Sequence, residues 1–393
     1  MGEKQFKNNV WFLFALTRLV LFLSLPLEGV RGYGDYWNFY HIADLGWPFL
    51  DHWVEFPPIF PLFSRLVYLV AGGKQHAYEY LLAFLLTGIQ AGNLYIVGKI
   101  GDEVYPREET QKRILIYFAL LVGLFYGWAY FEPLAVMPML LGIYWLLIGK
   151  EKAAAVILGA GGLVKWFPLL VIPAIWKRRS VKKAFLLTLI TLSVVVAVWG
   201  GLYLLSPDMT RASLASQWNK GSWETVWALV DGNLRTGNFG SQIDRKLPQT
   251  AFQTLANPPV IPSWLTLIIY GGLGLWVFFR CKIKTEKDLL SFIGLTLVIF
   301  FLWTPGYSPQ WVLYVLPFTV LLLPLERSTL FSLTMVLVHI LEWPILLSRG
   351  WFDSLWVIIP LRTLSYILLG IMFWEAIRPP HQSDKVAESE KAL

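Results

Sequence analysis

Apolar runs long enough to cross a bilayer, which takes ~20 residues, recur from Val10 to the neighbourhood of Trp374, and each is bounded by charge, proline or glycine. The pattern predicts helices over about 10–25, 79–99, 114–131, 133–148, 184–205, 263–280, 288–303, 309–325, 329–347 and 355–375. Two further apolar stretches are ambiguous. Residues 57–71 hold Pro57, Pro58 and Pro61, and residues 153–176 carry Gly159, Gly161, Gly162, Lys165 and Pro168 in mid-run.

The charges between the runs choose between two topologies. If both ambiguous stretches cross, there are twelve spans, and the Gly149-Lys150-Glu151-Lys152 loop falls outside, against the tendency of basic loops to stay in the cytoplasm. If both dip in and return, that loop and the Lys177 to Lys183 cluster lie together inside and Glu132 lies outside. The second arrangement is expected. Broken backbone at membrane depth is tolerated only where it is buried in protein or lines a wet cavity, so this arrangement implies a cavity. Both topologies leave the C-terminus in the cytoplasm. The first run follows Lys4 and Lys7 without a small-residue cleavage site, so it reads as a retained helix with a cytoplasmic N-terminus. The polar tail 379–393 reads as disordered.

Composition agrees with this pattern. Of 393 residues 56% are hydrophobic and 15% charged, and the mean hydropathy is +0.55. The expected fold is all-α: one integral membrane domain over 1–393 with about 10–12 transmembrane helices, some short or re-entrant, and external loops carrying interfacial helices. The formal charge of +7 comes from clusters such as Lys177-Arg178-Arg179, Lys182-Lys183 and Arg280 to Lys287. Such clusters mark cytoplasmic loops and give no nucleic-acid signature. Cys281 is the single cysteine, which excludes an internal disulfide and a thiolate metal cluster.

Candidate chemistry concentrates in two external loops. The first, 26–56, holds Gly34-Asp35-Tyr36-Trp37-Asn38, His41, Asp44, Asp51, His52 and Glu55, and Phe56-Pro57-Pro58 closes it. Glycine lets a ligand approach the backbone closely, aromatic faces suit a sugar ring, and a carboxylate of ordinary pKa is ionised and able to take a proton. Asp35 therefore reads either as a general base or as a helix cap or salt-bridge partner. Tyr36 and His41 are candidate substrate contacts, although two histidines eleven apart lack metal-ligand spacing. His52 reads as a surface group. Glu132 begins a helix as Phe131-Glu132-Pro133, which suits the helix dipole and equally a second acid of the same pocket. Lys165 is an intramembrane cation and so a candidate functional group with a lipid phosphate as its natural partner; the alternative is snorkelling.

The second loop, 206–262, contains Trp223, Val226, Trp227 and Val230 at helical spacing with Glu224 off the stripe, which predicts a surface-lying helix. Trp223, Glu224 and the later Arg235 are candidate substrate contacts. Thr304-Pro305-Gly306-Tyr307-Ser308-Pro309-Gln310-Trp311 re-enters the membrane, with Tyr307 and Gln310 as candidate donors at the cavity rim. His339 and Glu342 read as an internal polar contact.

The order of these motifs resembles the GT-C superfamily of integral membrane glycosyltransferases. The elements are an Asp shortly after the first span, Phe-Pro-Pro opening the next segment, an acid starting a helix, Lys-Trp-Phe-Pro in a glycine-rich short helix and Ser-Pro-Gln-Trp re-entering late. Within it the chain is most similar to prokaryotic relatives of the GPI and PIM mannosyltransferases, over about residues 10–325. The resemblance implies a polyprenyl-phosphate sugar donor, mannose above all, a glycolipid or glycan acceptor in an external cavity, and Asp35 as catalytic base with inversion at the sugar. It also implies that Lys165 and loop cations such as Arg235 or Arg245 lie near the donor phosphate. The chain departs from the family's better-known members in carrying one acid at the first motif, with Gly34 before it, instead of an Asp-X-Asp pair. No metal ligands and no cofactor are therefore assigned. A multi-span transporter or lipid flippase is the rival reading, since broken helices and a buried lysine also suit substrate binding at mid-membrane. A membrane acyltransferase would need a nucleophile and histidine pair that the sequence does not offer.

Overall fold

The computed structural model describes residues 3–26, 28–234, 241–253 and 256–378. Arg235 and the tail 379–393 lie outside the described residues. The chain enters through α1 (Glu3–Ser24), turns at Arg31–Tyr33 and runs through α2 (Tyr36–Asp44), the short α3 (Ile59–Val70) and the 30-residue α4 (Gln75–Val104). It returns through α5 (Arg107–Gly123), makes one turn at α6 (Tyr126–Ala129), and descends α7 (Glu132–Leu147). A broken segment follows, made of α8 (Glu151–Gly162), a 3-10 stretch at Phe167–Val171 and α9 (Ile172–Arg178). Then come α10 (Val181–Leu205), the loop helices α11 (Pro207–Asn219) and α12 (Val226–Asp231), and α13 (Ser263–Arg280). The last helices are α14 (Glu286–Trp303), α15 (Val312–Leu322), α16 (Leu325–Ile340) and α17 (Leu355–Ile377).

The fold is all-helical, as the apolar runs predict. Among the described residues β-structure is limited to isolated bridges such as Trp223 with Gly306. Among the described residues five helical stretches are long and apolar enough to cross a membrane, among them Gln75–Val104 and Val181–Leu205, and shorter apolar helices accompany them.

The broken segment is a hairpin. Arg179, at its exit, forms an ion pair at 2.5 Å with Glu151 at its entry, and Lys183 pairs with the same carboxylate at 2.5 Å. Arg179 also donates to the Leu146 carbonyl at the foot of α7. Twelve helical residues rise only about 18 Å, too little for a full crossing, so α8 goes in and the 3-10 stretch with α9 comes back. Lys165 sits at the tip. The backbone folds tightly there because Gly161 and Gly162 lie against Pro168 and Leu169, where a Cβ would collide. α3 does not cross either. Its first amide, Ile59 N, donates to Leu163 O at the hairpin tip, and its far end is tied back to the first loop through Tyr68 with Asp44 and Tyr40 with the Gly73 carbonyl.

One end of the bundle gathers the basic loops. Arg178 pairs with Glu286, Lys177 donates to Phe278 O at 2.8 Å, and Arg113 donates to the carbonyls of Val320 and Leu323. The opposite end carries Asp35, Glu132 and the loop 206–262. A cysteine at Lys150 and one at Lys182 are expected to resist an impermeant thiol reagent added to intact cells, while one at Lys246 is labelled; labelling at Lys150 alone would pull the hairpin's two feet apart.

Several boundaries differ from the sequence pattern for identifiable reasons. The expected helix 114–131 stops at Gly123, because Tyr126 is drawn into tertiary bonds, its hydroxyl donating to the carbonyls of His339 at 2.8 Å and Trp343 at 2.6 Å. The expected helix 329–347 loses its regular path near Trp343, whose backbone is extended at φ −138°, ψ 125°, as suits a residue before proline. α12 starts at Val226, not at Ser222, because the Thr225 hydroxyl caps it by accepting from Ala228 N at 3.1 Å. Trp223 and Glu224 therefore precede the helix, and the four-residue stripe is not one helical face.

Candidate active site

Asp35 stands where the first loop turns into α2. Gly34 is extended at φ −160° and presses so close to the Ala129 backbone that any Cβ would overlap it. That contact seats the next residue at the top of the bundle. Asp35 occupies the cap position of α2, yet its side chain makes no capping hydrogen bond. Among the described residues it forms no ion pair either, so neither structural role foreseen for it uses the carboxylate. It is half-buried.

Four charged groups act on it, Glu55 from the same loop and Glu132, Lys165 and Lys220 from distant segments. Burial pushes the Asp35 carboxyl up from its ordinary 3.8 to about 6; Lys220 opposes this, Glu132 and Glu55 add to it, and Lys165 opposes it again. The ordinary acidity expected from sequence is thus corrected by the fold. At about 6 the group is still roughly nine-tenths ionised at neutral pH, and a base poised near the working pH is the more effective one.

On one side lies the pair of Glu132 and Lys165. The Lys165 ammonium donates to Glu132 Oε1 at 2.6 Å and lies 4.7 to 5.3 Å from the rings of Trp311, Phe167 and Phe131. A protein carboxylate and three aromatic faces thus hold the Lys165 ammonium. Glu132 is fully buried at the first position of α7, and its second oxygen, Oε2, is buried without a hydrogen-bond partner among the described residues. Removing one partner of such a pair strands the other charge, so Glu132→Ala is expected to destabilise the protein by about 3 kcal/mol. Thermal unfolding in detergent measures this; a melting temperature within a degree of wild type would contradict the pairing.

On the other side, Arg245 Nη2 donates to Glu55 Oε1 at 3.0 Å and its guanidinium lies 4.6 Å from the Trp53 ring. Trp53 N also donates to Arg245 O at 3.0 Å, so the loop 206–262 is clamped onto the first loop. Burial alone would raise the Glu55 carboxyl, but Arg245 more than offsets it and the group sits below its ordinary value. Arg245, expected near the donor phosphate, is engaged by Glu55. His52 beside it is fully buried, not at the surface, and burial with the Arg245 charge lowers it to about 4, so it is neutral.

Lys220 completes the site, and sequence reasoning passed over it. It follows α11, half-buried, with its ammonium 4.2 Å from the Trp223 ring. Burial lowers its pKa, while Glu55, Asp35 and Glu224 favour its charge. Among the described residues it forms no ion pair. The signal was faint: it is the one charge between Arg211 and Glu224.

Trp223 is positioned by the re-entrant turn. Its amide donates to Pro305 O at 3.3 Å, its carbonyl accepts from Tyr307 N at 3.0 Å, and its indole donates to Ser308 Oγ at 3.1 Å. Gly306 is required there, since a Cβ would enter the Trp223 ring. Glu224 is buried with a left-handed backbone, φ 50°, and its carbonyl accepts from Arg362. Gln310 is half-buried in the single turn Pro309–Trp311.

Two expected contacts go elsewhere. Tyr36 is fully buried with its hydroxyl donating to Trp128 O. Tyr307 is buried, its hydroxyl bonded to His339 Nε2 at 2.8 Å and Tyr366 at 2.6 Å under the Arg362 guanidinium. Neither ring is a free platform for a sugar, and Tyr307 is not at a rim. His41 packs against Trp37 with ring centres 4.1 Å apart and planes inclined by 36°, and its Nδ1 meets Trp37 O at 2.7 Å. Glu342, foreseen beside His339, instead pairs with Arg362.

No family model matches the chain, and no curated protein sequence matches it. Among solved structures the chain is similar to the oligosaccharyltransferase of Archaeoglobus fulgidus in its apo form, with 12% identity and a TM-score of 0.48, over 97% of this chain and 57% of that one. It therefore spans little more than half that protein's length. It is also similar to ArnT from Cupriavidus metallidurans bound to undecaprenyl phosphate, with 10% identity and a TM-score of 0.49, over 92% of this chain and 75% of that one. Neither likeness is close enough to transfer a substrate or a residue role.

Proposed function

We propose that the protein is a membrane glycosyltransferase of the GT-C type, moving a sugar from a polyprenyl-phosphate donor to a hydroxyl of a glycolipid or glycan. Mannose is the sugar that the sequence resemblance favours. The observation that carries this reading is a half-buried carboxylate, Asp35, that among the described residues makes neither a capping bond nor an ion pair, within electrostatic reach of the Lys220 ammonium, which likewise forms no ion pair and rests on the Trp223 ring, with two internal ion pairs nearby. A base and a cation that neutralise no neighbour through an ion pair suit a reaction that removes a proton from one reactant and releases a phosphate from the other.

In the proposed reaction Asp35 takes the proton of the acceptor hydroxyl. The acceptor oxygen attacks the anomeric carbon from the face opposite the phosphate. The bond from that carbon to the phosphate oxygen breaks, and polyprenyl phosphate leaves with the electron pair as the configuration inverts. Lys220 balances the charge that builds on the leaving phosphate. Glu132 Oε2 accepts from a second acceptor hydroxyl, and the half-buried Trp223 indole supplies an apolar face for a sugar ring. Positioning of the two substrates supplies much of the rate.

In this proposal the protein is a multi-pass component of the cell membrane, and the positive-inside tendency puts both termini and the basic end in the cytoplasm and the Asp35 end outside. A donor with one phosphate needs little charge neutralisation, so no metal is assigned and transfer is expected to persist in excess EDTA. Loss of transfer restored by magnesium or manganese would reject that assignment. The donor class is tested with purified protein given radiolabelled polyprenyl-phosphate mannose or, separately, GDP-mannose. Label should reach the acceptor from the first alone; transfer from the nucleotide sugar in lipid-stripped protein would overturn the proposal.

A further inference from the structure

A cleft lies at the end of the bundle away from Asp35, where α1, α4 and α5 meet. Its enclosed volume is about 50 Å³. Val10, Trp11, Leu94 and Ile114 give it an apolar side, while Lys99, Asp102, Arg107 and Gln111 give it a polar one. About twenty residues of α4 separate Lys99 from Glu79, which pairs at 2.7 Å with Arg31 in the first loop at the Asp35 end, roughly 30 Å at the rise of an α-helix, so this cleft is no part of the candidate active site. Gly98 recesses its floor, since a Cβ there would collide with Ile114.

Among the described residues two polar groups in it have neither a hydrogen bond nor an ion pair from the side chain. Lys99 is half-buried with its ammonium 5.5 Å from the Tyr95 ring, and among the described residues it forms no ion pair. Thr110, 1% exposed, lines the same cleft with a buried hydroxyl that has no hydrogen-bond partner. A buried hydroxyl without a partner is costly, and so is a lysine in apolar surroundings. Both costs are relieved by one ligand that brings phosphate oxygens and hydrocarbon together. The cleft meets the bundle's perimeter at Tyr95, which is 48% exposed, with Leu115 beside it on α5 at 45%, so that ligand can come from the surrounding bilayer.

We infer that this cleft is a binding site for one anionic phospholipid. The phosphodiester accepts from Lys99 and from the Thr110 hydroxyl. The first carbons of an acyl chain lie along Val10, Trp11 and Leu94. Lys99 and Arg107 outweigh Asp102 by one positive charge, which favours an anionic headgroup over a zwitterionic one, and Asp102 can accept from a headgroup hydroxyl such as those of phosphatidylglycerol. Basic pockets between transmembrane helices recognise phospholipid headgroups in this manner.

The test is native mass spectrometry of the full-length protein, incorporated into nanodiscs of phosphatidylglycerol or of phosphatidylcholine and then released into detergent. The wild type should keep one phosphatidylglycerol and no phosphatidylcholine. Lys99→Glu should lower that retention at least tenfold. Thr110→Val, which keeps the side chain's shape and so the fold, should lower it about threefold. Equal retention of the two lipids by the wild type, or wild-type retention in the Thr110→Val protein, would overturn the inference.

Discussion

Replacing Asp35 with asparagine is expected to lower sugar transfer by about a thousandfold while leaving expression and melting temperature unchanged. The size follows from loss of a positioned general base, which contributes about 10²–10⁴ in rate. The lack of a folding cost follows from the structure: among the described residues the carboxylate caps no helix and holds no ion pair, and it resists its own charge, being raised to about 6. The pH dependence carries a sign. The ionised form is the base, so kcat/KM of the wild type should be level above pH 7 and fall about tenfold per pH unit below 6. Lys220 lowers the carboxyl, so its removal should move that acid limb upward. Full activity in the asparagine variant, or an acid limb near 4, would remove Asp35 from the proton transfer.

Replacing Lys220 with alanine should lower kcat by about a hundredfold, the range seen when one preorganised electrostatic group is removed. The effect should lie in kcat more than in KM, because the phosphate gains charge as the sugar bond breaks. Lys220→Arg keeps the charge and should recover much of the rate. A drop confined to KM, equal in the alanine and arginine variants, would make Lys220 a loop support instead.

Much of this architecture is legible in the residues, and the exceptions share a cause. The hairpin at 153–176 is readable because glycine, proline and lysine in mid-run contradict a full crossing, and the pair of Arg179 with Glu151 closes it as the charge pattern requires. Asp35 is readable because its neighbourhood is one continuous loop. Lys220 is not readable, since its place depends on the second loop folding over the first through Arg245 and Glu55, 190 residues apart. The same distance hides the acidity of Asp35, which is set by residues 55, 132, 165 and 220. Tyr36 and Tyr307 show the converse limit. A tyrosine in an aromatic loop is as fit for the core as for a sugar, and here long-range bonds to Trp128, His339 and Tyr366 decide for the core. The break after Gly123 has the same origin, because local pattern favours a helix there and the Tyr126 hydroxyl finds its partners more than 200 residues away.

Whether this molecule makes a glycosidic bond is decided most directly by following one labelled sugar. Purified protein in liposomes, given polyprenyl-phosphate mannose and a mixed glycolipid acceptor, should move the label to the acceptor with the opposite anomeric configuration and release polyprenyl phosphate in equal amount. Label that stays on its polyprenyl carrier and appears in the other leaflet would make the protein a lipid translocator and contradict the enzymatic role of Asp35.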